Sequence, residues 1–429
     1  MDARLQSRYW QLVREHMTSS PKVAAGPKAA LGDCQSFAST QALWRFLSND
    51  RVTLPQLVIP LRTSAVRDLQ TSKSPYVLLV HDWSKLSYPK HSSKEDQTRI
   101  SNEKDVGYEM FTALLVEADC GIALAPMELE LRCKKGIHST RRTTPKKAIG
   151  HLDQILPTMK AARKWGLSRQ VVHVIDREAD SQADFRSWIA AGELFLVRAD
   201  FTRKVEWEGQ FFKLPGLANE WAEKRRFKAA GKVEIRGKIG TRYVAEGKIL
   251  LKTPARKRTP EGRIKIKGGP LSVRLVISRI LDSDGTVLAE WYLLTNVPDD
   301  VSAETIADWY YWRWKIESYH KLLKAGGHQL ESWQQETALG IAKRLLIAAM
   351  VCVCAWQIQR QTTPEAVECQ KFLVRLSGRQ VKRKKPITTP ALIAGLNVLL
   401  PMLELLEKYT PEQLRSMATR AVPQLVKSG

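Results

Sequence analysis

Apolar residues recur at three- and four-residue intervals near the start of the chain, in short unbroken runs through its middle, and at helical intervals again toward its end. Over Ser36 to Leu47 (SFASTQALWRFL), Phe37, Leu43, Trp44 and Leu47 fall on helical spacing, and Asn49-Asp50 ends the segment. Thr53-Leu54-Pro55 has the composition of a cap and first turn, so another helix is predicted there. The residues ahead of Ser36, with Ser19-Ser20-Pro21 and Gly26-Pro27, read as a basic leader. From residue 75 the period changes. Tyr76 to Asp82 (YVLLVHD) is a buried strand ending in a carboxylate, and Tyr108 to Glu117 and Gly121 to Leu131 are strands joined through Asp119-Cys120-Gly121. Ile149 to Trp165 has helical periodicity. Gln170 to Asp176 (QVVHVID) is a second buried strand ending in Asp, followed by a helix to about Ala191 and a strand over Leu194 to Arg198. That order predicts a three-layer α/β unit.

Residues 200–290 interrupt the unit with strand-like stretches, among them Val233 to Ile235 and Leu271 to Ile280, between Gly, Pro and basic runs. After a strand over Trp291 to Thr295 the pattern is helical. Ser302 to Lys324 is predicted as one long helix with Ser302 as N-cap, and Leu339 to Gln359 as a buried one, apolar on several faces. A basic stretch, Arg375 to Lys385, leads to short Leu-rich helices over Leu392 to Leu406 and Pro411 to Arg420. The chain therefore divides into a helical region (1–65), an α/β part (66–199), a β-rich basic insertion (200–290), a return to the α/β part with the long helix (291–345), and a C-terminal helical region (346–429).

Charge narrows the function. The 429 residues carry 68 Lys and Arg against 44 Asp and Glu, a net charge of +24, which favours a polyanionic partner. Half of that excess is local: residues 221–267 hold 16 Lys and Arg against four Glu, or +12. A cation-lined insertion beside an α/β unit suits a nucleic-acid clamp, and Lys22, Lys28, Arg45 and Arg51 offer further phosphate contacts from the N-terminal helices. A membrane partner is not expected, because the longest strongly apolar run, Leu345 to Trp356, has 12 residues. No signal or lipidation motif is evident, so a cytoplasmic protein with reduced cysteines is expected. Those six (Cys34, Cys120, Cys133, Cys352, Cys354, Cys369) include no Cys-x2-Cys pair, so they read as core residues and no zinc site is expected.

The candidate chemistry lies in acids. Asp82 and Asp176 both end apolar strands, and the carboxyl ends of strands in an α/β sheet are where active sites form. Either alone is as readily a turn or helix cap. A third carboxylate changes the case, because phosphoryl transfer with two divalent cations needs several acidic ligands. Glu317 supplies one, within Trp309-Tyr-Tyr-Trp-Arg-Trp-Lys-Ile-Glu317. Tyr310, Arg313, Glu317 and Lys324 stand at helical offsets of three, four and seven, so one stripe presents a hydroxyl, a guanidinium, a carboxylate and an ammonium.

These motifs resemble the transposases of the IS4 group of bacterial insertion sequences, most closely the Tn5-like ones. Tyr310, Arg313, Glu317 and Lys324 meet the family's Tyr-x2-Arg-x3-Glu-x6-Lys hallmark without a gap. Asp176-Arg-Glu-Ala-Asp180 is similar to its second-aspartate motif, and Asp82 with Leu86-Ser87-Tyr88 to its first. The resemblance covers about Ser36 to Lys324. It implies an RNase H-like catalytic core interrupted by the β-rich insertion, with an N-terminal helical DNA-binding region and a C-terminal helical region, a candidate for dimerisation in which the family's own dimerisation segment has no match. It implies that Asp82, Asp176 and Glu317 are the catalytic metal ligands for two Mg²⁺, with Mn²⁺ able to substitute. The implied activity is cut-and-paste transposition: nicking, hairpin formation and opening at the ends of the element, then strand transfer to target DNA. The implied partners are double-stranded DNA (terminal inverted repeats and target) and a second copy of the chain, in a bacterial, nucleoid-associated setting. Trp291 would stack on a flipped base, Trp314 would fill the vacated space, and Tyr310, Arg313, Lys324 and Arg198 would grip phosphates. The stretch before Asp82 is shorter than in the nearest relatives, and Trp83-Ser84-Lys85 replaces the small hydroxyl residues expected after Asp82.

Two other readings compete. A tyrosine recombinase could be assembled from His138-x2-Arg141 and Tyr409, although the other Arg partners are unidentifiable; a relaxase is excluded because none of the eight His forms a His-x-His pair. The third reading is a DNA-binding inhibitor or domesticated relative without catalysis.

Overall fold

The computed structural model describes residues 1–18, 35–101, 105–235, 237–252, 255–259, 262–266, 268–380 and 386–421. Ser19-Ser20-Pro21, Lys22, Gly26-Pro27, Lys28, Cys34 and the end of the basic stretch, 381–385, lie outside the described residues. Four helices come first: α1 (Ala3–Thr18), α2 (Gln35–Ser48), α3 (Leu54–Leu57) and α4 (Ile59–Leu69). The start of the expected leader is thus a packed helix. Tyr9, Leu12 and Val13 are buried along one face of α1, a spacing that arginines at positions 4, 8 and 14 obscure in the sequence. Thr53 opens α3 as expected, its N–H donating to Gln56 Oε1 at 3.1 Å.

The α/β part follows the predicted order with two short strands added: β1 (Tyr76–Ser87), β2 (Thr98–Arg99), β3 (Val106–Glu117), β4 (Ala123–Cys133), β5 (Gly136–Ser139), α5 (His151–Ala162), β6 (Gln170–Ile175), α6 (Gln182–Ala190) and β7 (Leu194–Arg198). β1 pairs in parallel with β6, and β6 with β7, while β1 pairs antiparallel with β3. Residues 76–81 of β1 are all buried, so both faces of the sheet are covered there.

Residues 200–290 are β-rich, as expected, but their strands extend the same sheet. They form β8 (Lys204–Trp207), β9 (Gln210–Lys213), α7 (Leu214–Glu223), β10 (Lys228–Ile235), β11 (Lys238–Leu251), β12 (Ala255–Thr259), β13 (Gly262–Ile266), β14 (Leu271–Leu281) and β15 (Val287–Thr295). Thirteen strands join in one mixed sheet along β5-β4-β3-β1-β6-β7-β15-β14-β11-β8-β9, with β10 on β11, β2 on β3, and β12–β13 as a separate pair. The seam is β7 against β15, where Arg198 pairs with Leu293.

The remaining helices are α8 (Ala303–Tyr311), α9 (Trp314–Lys321), α10 (Ala338–Arg360), α11 (Pro364–Leu376), α12 (Thr389–Lys408) and α13 (Pro411–Ala421), with a π-helical turn at Leu322–Gly326. The apolar run at 345–356 lies inside the 23-residue α10. α10 and α12 are each long and apolar enough to cross a membrane, but 83% of the apolar stretch of α10 is buried within the fold, where the helix packs on β4, α1 and α12. Its buried charges have partners: Lys343 Nζ donates to the carbonyls of Leu47 (2.8 Å) and Asn49 (3.0 Å), tying α10 to the end of α2.

Candidate active site

Register brings the first two acids together. The last parallel pair between β1 and β6 is His81 with Ile175, and the last between β6 and β7 is Ile175 with Val197. Asp82, Asp176 and Arg198 each stand one residue further on, so they form a row across three neighbouring strands about 4.8 Å apart. Asp176 leaves the sheet there, as expected. Asp82 does not end its strand: β1 runs on to Ser87, paired with β3 alone, and Asp82 faces Thr112 across that ladder. The carboxylate thus sits where parallel pairing ends, within a continuing strand.

The third acid arrives from a broken helix. The expected single helix over Ser302 to Lys324 begins at its Ser302 cap, whose hydroxyl accepts from Thr305 N–H at 3.1 Å, but it tightens at Trp312-Arg313. Arg313 N–H donates to the Tyr310 carbonyl (3.1 Å), Lys315 to Trp312 (2.9 Å) and Ile316 to Arg313 (3.1 Å), a run of i→i−3 bonds. Trp309 and Ile316 are buried on either side of the break. Trp312 lies directly over Gly121, whose positive φ of 67° and lack of a Cβ leave room for the indole. Across the break Tyr310, Arg313 and Glu317 still share a face.

That face completes the site. The Arg313 guanidinium is 2.5 Å from Glu317 Oε1, 3.7 Å from Asp82 Oδ2 and 3.8 Å from Asp176 Oδ2, so three carboxylates from distant segments converge on one cation. Asp176 also accepts from Tyr310 OH (3.0 Å) and the Arg177 N–H (2.6 Å), and pairs with Arg198 (2.9 Å). Burial alone would raise its pKa, but Arg313, the Arg177 N–H, Arg198 and Tyr310 together hold it below the ordinary carboxylate value. Asp82 has less compensation. Burial pushes its pKa up to about 6 despite Arg313 and the Trp83 N–H, with Glu317 and Asp176 adding like charge. Against its own burial, Tyr310 and then the three acids push the Arg313 pKa up.

The residues fit divalent cations in donor chemistry and convergence. Carboxylate oxygens are the hard ligands that Mg²⁺ takes, and a buried guanidinium amid the three acids marks a locus that demands positive charge. With that guanidinium between them, the carboxylates do not close to mutual ligand distances. Among the described residues, the one set of three potential ligand atoms all within 4.8 Å of one another is Asp96, Cys133 and His138, elsewhere in the fold.

Other expected residues fall around this centre. Trp291, on β15, is buried and packs edge-on against Tyr310 (centroids 5.5 Å apart). Trp314 is 48% exposed, with Arg313 6.0 Å from its ring. Lys324 lies in the π-helical turn, where it donates to the Lys85 carbonyl and stands 3.6 Å from Glu331; it contacts β1 beyond Asp82 rather than the acids. Arg45 is exposed on α2, and Arg51 pairs with Asp2. The recombinase set does not assemble: Arg141 is tied to Glu128 and Glu130, each at 2.6 Å, His138 is buried on β5, and Tyr409 stands partly exposed at the end of α12.

Sequence reading missed a neighbouring cluster. A cleft of about 610 Å³ is lined by Asp82, Asp176, Trp83, Glu109, His151 and Glu178, among others. His151 bridges Glu109 (2.9 Å) and Glu178 (3.2 Å) and stacks on Trp83 at 4.6 Å and 10°. Hydrogen bonds to Glu109 and Glu178 raise its pKa to about 9 against partial burial. Glu178, inside the Asp176-Arg-Glu stretch, was the available signal; Glu109 and His151 join it only through the register of β3 and the start of α5.

No protein-family model matches the chain. Among solved structures, a piggyBac transposase synaptic complex with hairpin DNA, determined by cryo-EM, is similar at 10% identity and a TM-score of 0.34, over 97% of this chain and 74% of that one. A likeness that loose leaves activity to be read from this chain's own residues.

Proposed function

We propose that the protein is a DNA transposase of the DDE type, acting by metal-assisted phosphoryl transfer on the ends of a mobile element. The observation that carries this reading is the convergence of Asp82, Asp176 and Glu317, from two adjacent strands and a helix, on the single buried guanidinium of Arg313. The net charge of +24 around a compact acidic centre supports DNA as substrate, and a second copy of the chain would allow two ends to be handled together.

Asp82, Asp176 and Glu317 would hold the cations. Bound Mg²⁺ would activate water or a DNA 3′-hydroxyl as nucleophile and stabilise the leaving oxygen. Arg313 holds the acids together before loading; with DNA present it would turn its fork to the phosphate, a geometry for which guanidinium is suited. Arg198 and the Tyr310 hydroxyl keep Asp176 ionised and oriented toward the cleft. Trp291, expected to stack on a flipped base, is buried against Tyr310, so the exposed Trp314 beside Arg313 would be the one to pack on an unstacked base, at a gain of about 1–3 kcal/mol. Trp291 would support that position by packing behind Tyr310.

Glu317→Gln tests the reading. The variant should bind end-containing DNA as the wild type does and lose cleavage in Mg²⁺ and Mn²⁺ by about a hundred- to a thousandfold, on the scale of losing one electrostatic contact in the transition state. Cleavage retained in the variant would refute the ligand assignment. A wild type that binds but never cleaves would favour the non-catalytic reading instead.

A further inference from the structure

We infer that Asp96, Cys133 and His138 form a binding site for a borderline-soft divalent metal such as Zn²⁺, distinct from the acidic centre. The three come from separate places: Asp96 from the loop after β1, Cys133 from the end of β4, and His138 from β5, the outermost strand of the sheet. Their ligand atoms all lie within 4.8 Å of one another, and all three residues are buried. Tetrahedral zinc with bonds of roughly 2.0–2.3 Å places neighbouring ligands about 3.3–3.8 Å apart, so a closing movement of about 1 Å would bring the three side chains to bonding distance and leave the fourth position to water.

The surroundings are those of a ligand set. Cys133 pairs with Gly136 across a two-residue hairpin turn, Lys134-Lys135; the N–H groups of Lys135 and Gly136 point at its sulfur, but burial and the Asp96 carboxylate outweigh them and raise the thiol pKa, so the proton stays on sulfur until an ion displaces it. Gly136 has φ 123° and no room for a Cβ, which would meet the Lys146 carbonyl oxygen at 2.3 Å. The Asp96 carboxylate is fixed from behind by Tyr108 OH (2.8 Å) and by the Ala338 N–H (3.0 Å) at the start of α10, the outer contacts that orient a metal-binding carboxylate. Burial keeps the His138 imidazole neutral, as a ligand must be. Lys94, Lys135, Arg142 and Lys343 stand around the cluster. They are tolerable neighbours because thiolate and carboxylate cancel the charge of the ion: one M²⁺ enters and the Cys133 proton leaves. The bound ion would staple the β4–β5 hairpin to the loop after β1 and to the start of α10. Cysteine spacing hides such a site, since only one of its ligands is Cys.

The test uses the full-length protein, reduced and stripped with chelator, titrated with Co²⁺ and then Zn²⁺. One equivalent of Co²⁺ should produce a thiolate-to-metal charge-transfer band, bleached by one equivalent of Zn²⁺, and the band should vanish in Cys133→Ser and in His138→Gln. It should persist in Glu317→Gln, whose lost ligand is an oxygen of the other site. Absence of the band in the wild type overturns the assignment. So does its survival in folded Cys133→Ser, which would move the thiol to the buried Cys352, 3.7 Å from His328. If Cys133→Ser fails to fold, His138→Gln decides by the same readout, and zinc content of the purified wild type gives an independent answer: none retained after loading overturns the site.

Discussion

Asp82→Asn should make the metal-free protein more stable while abolishing cleavage. The folded-state pKa of Asp82 is raised from 3.8 to about 6, by burial first, against the pull of Arg313. Above the unfolded value the native state holds a proton that the unfolded chain has released, so stability falls as pH rises through the window from about 4 to about 6. Above that window the full cost applies: about two pK units at 1.36 kcal/mol each, or about 3 kcal/mol. Asn matches the neutral acid in shape and can still accept the Trp83 N–H that Asp82 accepts at 2.8 Å, so it carries none of this cost. In EDTA at pH 7.5 the variant should therefore unfold at higher urea, by about 2–3 kcal/mol. At about 2.1 cal/mol/K per residue over 429 residues, that is about 3 °C in Tm. The gap should shrink as pH is lowered from 7 to 5. Saturating Mg²⁺ should raise the Tm of the wild type more than that of the variant, because the ion binds the native acids. A variant equally or less stable than wild type at pH 7.5, or a gap independent of pH, would refute the argument that this carboxylate is held charged against its environment.

Three further outcomes follow from the same geometry. His151, with its pKa raised to about 9 by Glu109 and Glu178, contributes stability that is complete below pH 6.5 and lost as pH climbs through 9. The imidazole is 30% exposed, so after screening the His151→Gln variant should lose about 2 kcal/mol at pH 6 and little at pH 10, read by urea unfolding. Trp291→Ala should cost about 3–5 kcal/mol, the loss for a buried Trp, and should impair hairpin formation more than first-strand nicking; unchanged stability would mean that the indole does not pack behind Tyr310. Neutralising cations in residues 221–267 should lower the salt dependence of DNA binding by nearly one log unit per phosphate contact removed, measured as log Kd against log salt. Substitution is the right perturbation there, because β10 and β11 are hydrogen-bonded into the main sheet and deletion would unpair β14.

Much of the centre was legible because local spacing carries it. Tyr310, Arg313 and Glu317 keep one face through the tightened turn, and both aspartates follow apolar runs that form strands. What was not legible depends on pairing. Nothing near Asp82 signals that β1 continues to Ser87, because the continuation is held by β3, some 20 to 30 residues away. The surroundings of Lys324 depend on pairing too: it lies in the π-helical turn at Leu322–Gly326 and donates to the carbonyl of Lys85 on the continued β1. α7 is masked in the sequence by basic residues on both sides, although Leu214, Leu217, Ala218 and Trp221 are buried at helical spacing with Pro215 in the first turn. The merging of the insertion with the core sheet is a property of the β7–β15 seam, which no single segment encodes.

Alignment across β1, β6 and β7 also has a consequence for how such a chain can vary over time. Asp82, Asp176 and Arg198 meet because each follows its last aligned residue by one step, so their meeting depends on a count of residues as much as on their identities. Gaining or losing one residue within 76–82 or 170–176 would turn the acid to the opposite face of the sheet, even with every motif letter intact. Length changes are therefore confined to the connections between these strands. A lineage can rewrite much of the surface by substitution, but across these two stretches it is held to a fixed ruler.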